Sequence, residues 1–189
     1  MCAVERGLER IIRLLLEHSA DPNVHNQSIG LTATYFAVSA DNDAVLRLFL
    51  ARKDVDRNME CESSRMGFLL YAASVGSVTV LKTLLDNPAV DVHSKDNHYR
   101  NALLVAMHHE KEEAAKVLLA DGWICLNEGD IENGRPLAYA ASKGWTDIVD
   151  LLLESGADIE HPDDSGQTAL FHATGATSNM LLERARLLG

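Results

Sequence analysis

Residues 130–160 read DIENGRPLAYAASKGWTDIVDLLLESGADIE, and this stretch holds one complete structural unit with both of its ends marked. Pro136 stands where a first helix would begin, a position at which its missing N–H costs nothing. The run that follows, residues 137–142, is short and rich in alanine, and Gly144 closes it. A second helix is expected from Thr146, because Ile148, Val149, Leu152 and Leu153 fall at i, i+1, i+4 and i+5 and share one face. Gly156 ends it. Helices this short cannot bury a core alone, so the unit requires neighbours on both sides.

The neighbours recur at a fixed period. In the register of Ala140-Ala141-x-x-Gly144 the chain has Gly7, Asp41, Gly76, Glu110, Gly144 and Thr177, spaced by 34, 35, 34, 34 and 33 residues. The residue that opens each turn follows the same ladder at Gln27, Glu62, Asp96, Asp130 and Asp163. A period near 33 carrying Pro136-Leu137, Ala140-Ala141, Ile148-Val149, Leu151-Leu152-Leu153 and Gly156-Ala157-Asp158 resembles the ankyrin repeat. Residues 163–173, DDSGQTALFHA, and 19–23, SADPN, carry further pieces of the pattern, which spans essentially the whole chain. The lengthened connections at residues 51–58, 86–93 and 121–127 are similar to those in multi-ankyrin arrays of large fungal proteins. The resemblance implies an all-α fold, an ankyrin-repeat α-solenoid of helix-turn-helix units joined by β-turn or hairpin loops. One domain is expected over residues 1–189, with repeats at 1–26 (partial), 27–61, 62–95, 96–129, 130–162 and 163–189 (partial, a polar C-terminal cap).

Several positions depart from the pattern. Asp41 and Glu110 replace a glycine, and aspartate tolerates the left-handed backbone better than most residues. Arg65 stands where glycine is usual and Gly67 where threonine is, so a hydroxyl that commonly caps the helix is missing and a looser third turn is expected. Ala114 and Ala115 thin the fourth unit. First helices are expected at 34–40 and second helices at 44–51 in the second repeat, with the last helix running from Asn179. At the N-terminus Leu8, Ile11, Ile12, Leu15 and Leu16 form a second-helix stripe with almost nothing before it. Either that stripe packs only on the next repeat, or it docks on another segment or a second copy of the chain.

Composition narrows the function classes. The chain of 189 residues has 28 acidic and 17 basic side chains, a formal charge of −11, which argues against nucleic acid or an anionic membrane and for a partner with a basic surface. Cys2, Cys61 and Cys125 are odd in number and form no CxxC pair, so neither a disulfide framework nor a zinc site is indicated. An intracellular, cytoplasmic or nuclear setting follows. The apolar run at 11–16 is broken by Arg13 and flanked by charges, unlike a signal peptide or a membrane span. No nucleophile elbow, phosphate-binding glycine loop or HExxH pair occurs, so no enzyme activity, cofactor or metal is expected.

What remains is a surface. The resemblance implies a concave face made by the turn residues after each opening acid and by the two positions after Ala-Ala. Mapped onto this sequence it assigns partner contact to Ile29, Leu31, Met66, Asn97, His98, Arg100, His108, His109, Ile131, Glu132 and Lys143, with Ser28, Ser63, Ser64, Ser142 and Asp164 beside them. The implied function is non-catalytic protein–protein interaction. Alternatives are a recognition part of a larger receptor or adaptor, or an inhibitor that occludes an enzyme. His98, His108 and His109 could hold a metal or charge together in acid, but His108 and His109 point about 100° apart on a helix, and solvated histidines are expected. Trp123 and Trp145 are expected to pack across repeat junctions, and Asn23 and Asn127 to bridge turns, as such asparagines do in the family.

Overall fold

In the computed structural model, residues 2–26, 30–61, 64–131, 134–163 and 165–188 are described, and among them there are twelve helices and no strand. They come in six pairs. The first pair is α1 (Cys2–Glu5) and α2 (Glu9–Glu17), the second α3 (Ala33–Ser39) and α4 (Asp43–Leu50), and the third α5 (Phe68–Val75) and α6 (Val78–Leu85). Then follow α7 (Ala102–His108) with α8 (Glu112–Asp121), α9 (Pro136–Lys143) with α10 (Thr146–Glu154), and α11 (Ala169–His172) with α12 (Ala176–Leu188). The first helices pack in one row, α1 to α11, and the second helices in another, α2 to α12. The core is the seam between the rows, where Tyr35, Phe49, Phe68, Leu81, Leu103, Met107 and Leu118 are fully buried.

Local chemistry explains the corners between paired helices. Gly76 and Gly144 close α5 and α9 in the left-handed conformation, at φ 81° and 73°. Asp41 and Glu110 adopt the same conformation at φ 48° and 55°, so the corner survives without glycine. The helices start earlier than the sequence pattern indicates, α3 at Ala33 and α4 at Asp43. The difference is largest for α12, which begins at Ala176 because Thr177 is buried and its hydroxyl donates to the Ala141 and Thr174 carbonyls at 2.8 and 2.7 Å. At the other end, the residues before the N-terminal stripe form one helical turn, α1, whose Val4 is buried and which packs on α3.

Capping differs from the sequence expectation. Thr32 at the start of α3 makes no side-chain cap, and its buried Oγ1 has no hydrogen-bond partner. Side chains do cap α4, where Asn42 accepts from the Val45 N–H at 3.0 Å, and α7, where Asn101 accepts from the Leu104 N–H at 3.0 Å and donates to the Cys125 carbonyl at 2.9 Å.

The loops after the second helices are stitched together by asparagines. Asn23 donates to the Asp54 carbonyl at 2.6 Å, and Asn58 donates to the Ala89 carbonyl at 3.1 Å while accepting the Asp91 N–H at 2.7 Å. Asn127 accepts the Asp158 N–H at 2.9 Å. Each receiving loop is itself tightened by its aspartate, as where Asp91 Oδ1 accepts the His93 N–H at 2.9 Å. Bridging by Asn23 and Asn127 matches the sequence reading, and Asn58 adds a rung. Removing that rung with Asn58→Ala is expected to lower stability by about 1 kcal/mol in urea unfolding, because an exposed hydrogen-bond pair is lost without opening the core.

Candidate functional site

The units after the first open in hairpin-like turns closed by backbone bonds. Asp96 N–H donates to the Arg100 carbonyl at 3.1 Å, Asp130 N–H to Gly134 at 3.4 Å and Asp163 N–H to Gln167 at 2.8 Å. The opening acids fix these turns from inside. Asp96 Oδ1 accepts the N–H groups of His98 and Arg100 at 2.9 and 3.0 Å, and Asp163 Oδ1 accepts those of Ser165 and Gln167 at 2.9 and 2.8 Å. Successive tips join through Asn97 N–H to the Ser64 carbonyl at 3.2 Å and Ile131 N–H to the His98 carbonyl at 2.8 Å. Tyr35 ties the second unit to the third by donating its hydroxyl to the Met59 carbonyl at 3.0 Å and to that of Met66, and burial pushes this phenol up in pKa.

Between the fourth and sixth turns the ends of the first helices frame a groove of about 290 Å³. Two histidine–aspartate pairs border it: His108 Nε2 lies 3.1 Å from Asp130 Oδ2, and His172 Nε2 lies 2.8 Å from Asp163 Oδ2. Tyr139 stands between them, its ring 4.9 Å from His108 and 5.9 Å from Trp145. Lys143 Nζ sits 5.7 Å from the Tyr139 ring centre and 2.7 Å from Glu110 Oε1, which keeps the Glu110 carboxyl below its ordinary pKa. Phe171 is exposed beside His172. The groove thus offers aromatic faces, two anchored imidazoles and carboxylates on one side of the molecule.

A family model described as ankyrin repeats (3 copies) matches residues 1–96, 69–163 and 124–187. The chain belongs to the ankyrin-repeat family. Domains of this family in general mediate protein–protein interaction. Among curated proteins, the chain is 26% identical over 184 residues to the glycerophosphocholine phosphodiesterase GDE1 of Candida albicans, covering 90% of this chain and 16% of that protein. It is 36% identical over 162 residues to the E3 ubiquitin-protein ligase KEG of Arabidopsis thaliana, covering 81% and 10%. With the serine/threonine-protein kinase VIK of the same plant it shares 29% identity over 114 residues, covering 59% and 26%. The chain therefore spans a small part of each of these relatives. Among solved structures, the ankyrin repeat domain of Bcl-3 superposes with a TM-score of 0.85 at 23% identity, covering 96% of this chain and 79% of that one. No described helix is long and apolar enough to cross a membrane.

The ankyrin-type surface assigned from sequence divides on inspection. Asn97, His98 and Ile131 are exposed and brought together at the stitched tips, His108 lines the groove, and Lys143 sits 5.7 Å from the Tyr139 ring centre. Leu31 and Met66 are half-buried against the core, so neither presents a whole side chain. Arg100 is largely committed within its own turn: its side chain is only 17% exposed, and its guanidinium grips the buried Asp96 carboxylate at 2.6 and 2.8 Å. It builds the turn before it can build an interface. Ile29 and Glu132, with Ser28, Ser63 and Asp164, lie outside the described residues. Ser64 is half-buried and Ser142 exposed at the groove.

The histidines diverge as the helix geometry indicates. His108 reaches Asp130, whereas burial, with the nearby charges of Arg100 and Lys111, pushes His109 below its ordinary pKa. Among the described residues no group of three His, Cys, Asp or Glu is arranged to hold a metal ion. Trp145 packs on the core as expected, but Trp123 stands 68% exposed, because its lengthened loop carries Ile124 rather than the indole inward. Sequence reasoning missed Tyr139, the Asp163–His172 pair and the exposed Tyr99. A register signal was available for two of them: Tyr139 and His172 both stand nine residues after their opening aspartates.

The Asp96 carboxyl is raised by burial, but hydrogen bonds from the Arg100 guanidinium and from the Arg100 and His98 N–H groups outweigh that and hold it below its ordinary 3.8. Its folded value lies below its unfolded one, so ionised Asp96 stabilises the fold above pH 3.8 and the contribution drains away as the pH falls through the lower folded value. Asp96→Asn is expected to lose about 1.5–3 kcal/mol at neutral pH by chemical denaturation, the worth of hydrogen bonds to a charged group. The gap from the parent chain should close as the pH drops below 3.8.

Proposed function

We propose that this chain is a non-catalytic recognition module, a single domain over residues 1–189, that binds another protein along the stitched tips and the ends of the first helices. The carrying observation is the groove in which Tyr139 lies between the His108–Asp130 and His172–Asp163 pairs. An aromatic ring held between anchored polar groups supplies contact area at low entropic cost, with donors and acceptors already positioned. The partner segment is basic: the chain carries a charge of −11, and Asp130 and Asp163 border the groove. An exposed thiol at Cys125 suits a reducing, intracellular compartment, cytoplasmic or nuclear.

A second reading is that the module recognises while another domain of a longer polypeptide acts. The short span of the chain within its phosphodiesterase, ligase and kinase relatives favours it. Both readings use the same surface. Partner retention from cell extract by the parent chain, by a Tyr139→Ala/Phe171→Ala variant and by a Lys53→Ala control tests that surface. Loss from the double variant alone, by roughly thirtyfold in affinity for the identified partner, is the expected result for an aromatic anchor. Equal retention by all three, with unchanged helicity, places the contact elsewhere.

A further inference from the structure

From α4 onwards, the seams between neighbouring second helices are crossed by a polar side chain, with one exception. Arg47 of α4 donates to Thr83 Oγ1 of α6 at 2.7 Å, Lys116 of α8 lies 3.8 Å from Asp147 of α10, and Arg184 of α12 lies 3.4 Å from Asp150 of α10. Between α6 and α8 no such bridge occurs among the described residues, and a groove of about 370 Å³ lies there instead. The register explains the difference. Lys82 occupies the place of Arg47, but across the seam the place of Thr83 is taken by Val117, which offers no oxygen. The place of Asp147 is taken by Glu113, which Lys116 of its own helix holds at 2.9 Å.

The groove is polarised along its length. Both helices end at it, with Asp86 as the C-cap of α6 and Asp121 as the last residue of α8, while Lys82 and Lys116 stand about a turn back. A carboxylate at a helix C-terminus meets the negative end of the peptide dipoles, so neither acid is placed to stabilise its own helix. Asp121 is the sharper case, because its Oδ2 is shut off from solvent and has no hydrogen-bond partner. A buried oxygen in that state costs free energy that a donor would recover. Lys116 is committed to Glu113, and among the described residues no ion pair joins Lys82 to either aspartate. Beside the acids, Leu85, Val117 and Ala120 form an apolar shelf, with Val117 standing where α4 and α10 have the larger Leu48 and Leu151.

We propose that this groove is a second docking site, which takes an arginine side chain of a partner protein: the guanidinium bonds Asp121 and Asp86, and its stem lies on Leu85, Val117 and Ala120. Two carboxylates on different helices suit a planar fork of donors better than a point charge, and the shelf suits the methylenes behind it. Lys82, a turn away, meets the main-chain carbonyl of the same arginine. The site lies on the row of second helices, apart from the Tyr139 groove at the ends of the first, and is independent of it.

The test is an NMR titration of the isotope-labelled full chain with Nα-acetyl-arginine methylamide, and with its citrulline analogue as the uncharged isostere. Saturable amide shifts are expected at residues 82–86 and 116–122, with citrulline weaker by roughly tenfold because a charge-assisted pair is lost. Asp121→Asn should weaken arginine binding by roughly tenfold, while Tyr139→Ala leaves it unchanged. Because Asp121 Oδ2 holds nothing in the free chain, Asp121→Asn should also leave the urea midpoint where it is or raise it. Absence of saturable shifts at those amides overturns the proposal, as does equal binding of citrulline. A lower midpoint for Asp121→Asn makes that carboxylate a brace of α8 and overturns it too. If inorganic phosphate produces the same shifts more strongly, the groove is an anion site of Lys82 and the arginine assignment fails.

Discussion

A helix of seven to nine residues has almost no stability of its own in water, and eight of the twelve described helices are of that size. The fold depends on the apolar seam between neighbouring pairs, since no central core exists to replace it. That constraint accounts for the residues that recur. Alanines at 72–73, 106 and 140–141 let the first helices approach closely, while larger side chains on the second helices fill the space behind them. It also accounts for the corners: a seam this regular needs each chain reversal in the same conformation, and Asp41 and Glu110 accept left-handed backbone to keep it.

The polar architecture serves the same end by another route. Opening aspartates close their own turns, tips bond to tips, and asparagines join loop to loop. The tip-to-tip and asparagine bonds run across units rather than within helices, so they fix the register of one pair on the next. The candidate binding face is a by-product of that bracing. His108 and His172 are oriented by carboxylates whose other oxygens are committed to turn N–H groups, and Tyr139 is steadied by His108 on one side and Trp145 on the other.

The pairing of helices was legible in the sequence because periodicity reports burial, and burial at one position repeats at the next. The ends were harder, because there the period has no neighbour to enforce it. Residues 2–5 form a helical turn that no pattern signals, and Thr177 draws α12 forward through a bond to Ala141, a partner 36 residues away. Among the candidate contact residues, the repeat register assigns positions but not what each side chain is already holding. Arg100 has the composition of a contact residue and the geometry of a brace. Trp123 and Trp145 look alike in sequence, and only the path of the lengthened loop separates an exposed indole from a packed one.

The row of asparagine rungs has a gap. Positions 23, 58 and 127 carry asparagine and bridge to the following loop, but the place between the second and third of them is filled by His93, opposite Cys125 where the other receiving loops have aspartate. At the same junction α8 presents Ala114 and Ala115 to the seam, and Lys95 reaches Glu128 across the outside at 2.9 Å. The helices at this junction nevertheless pack in both rows, α5 on α7 and α6 on α8, so the missing rung leaves the loop row rather than the helix stack as the part that yields first there.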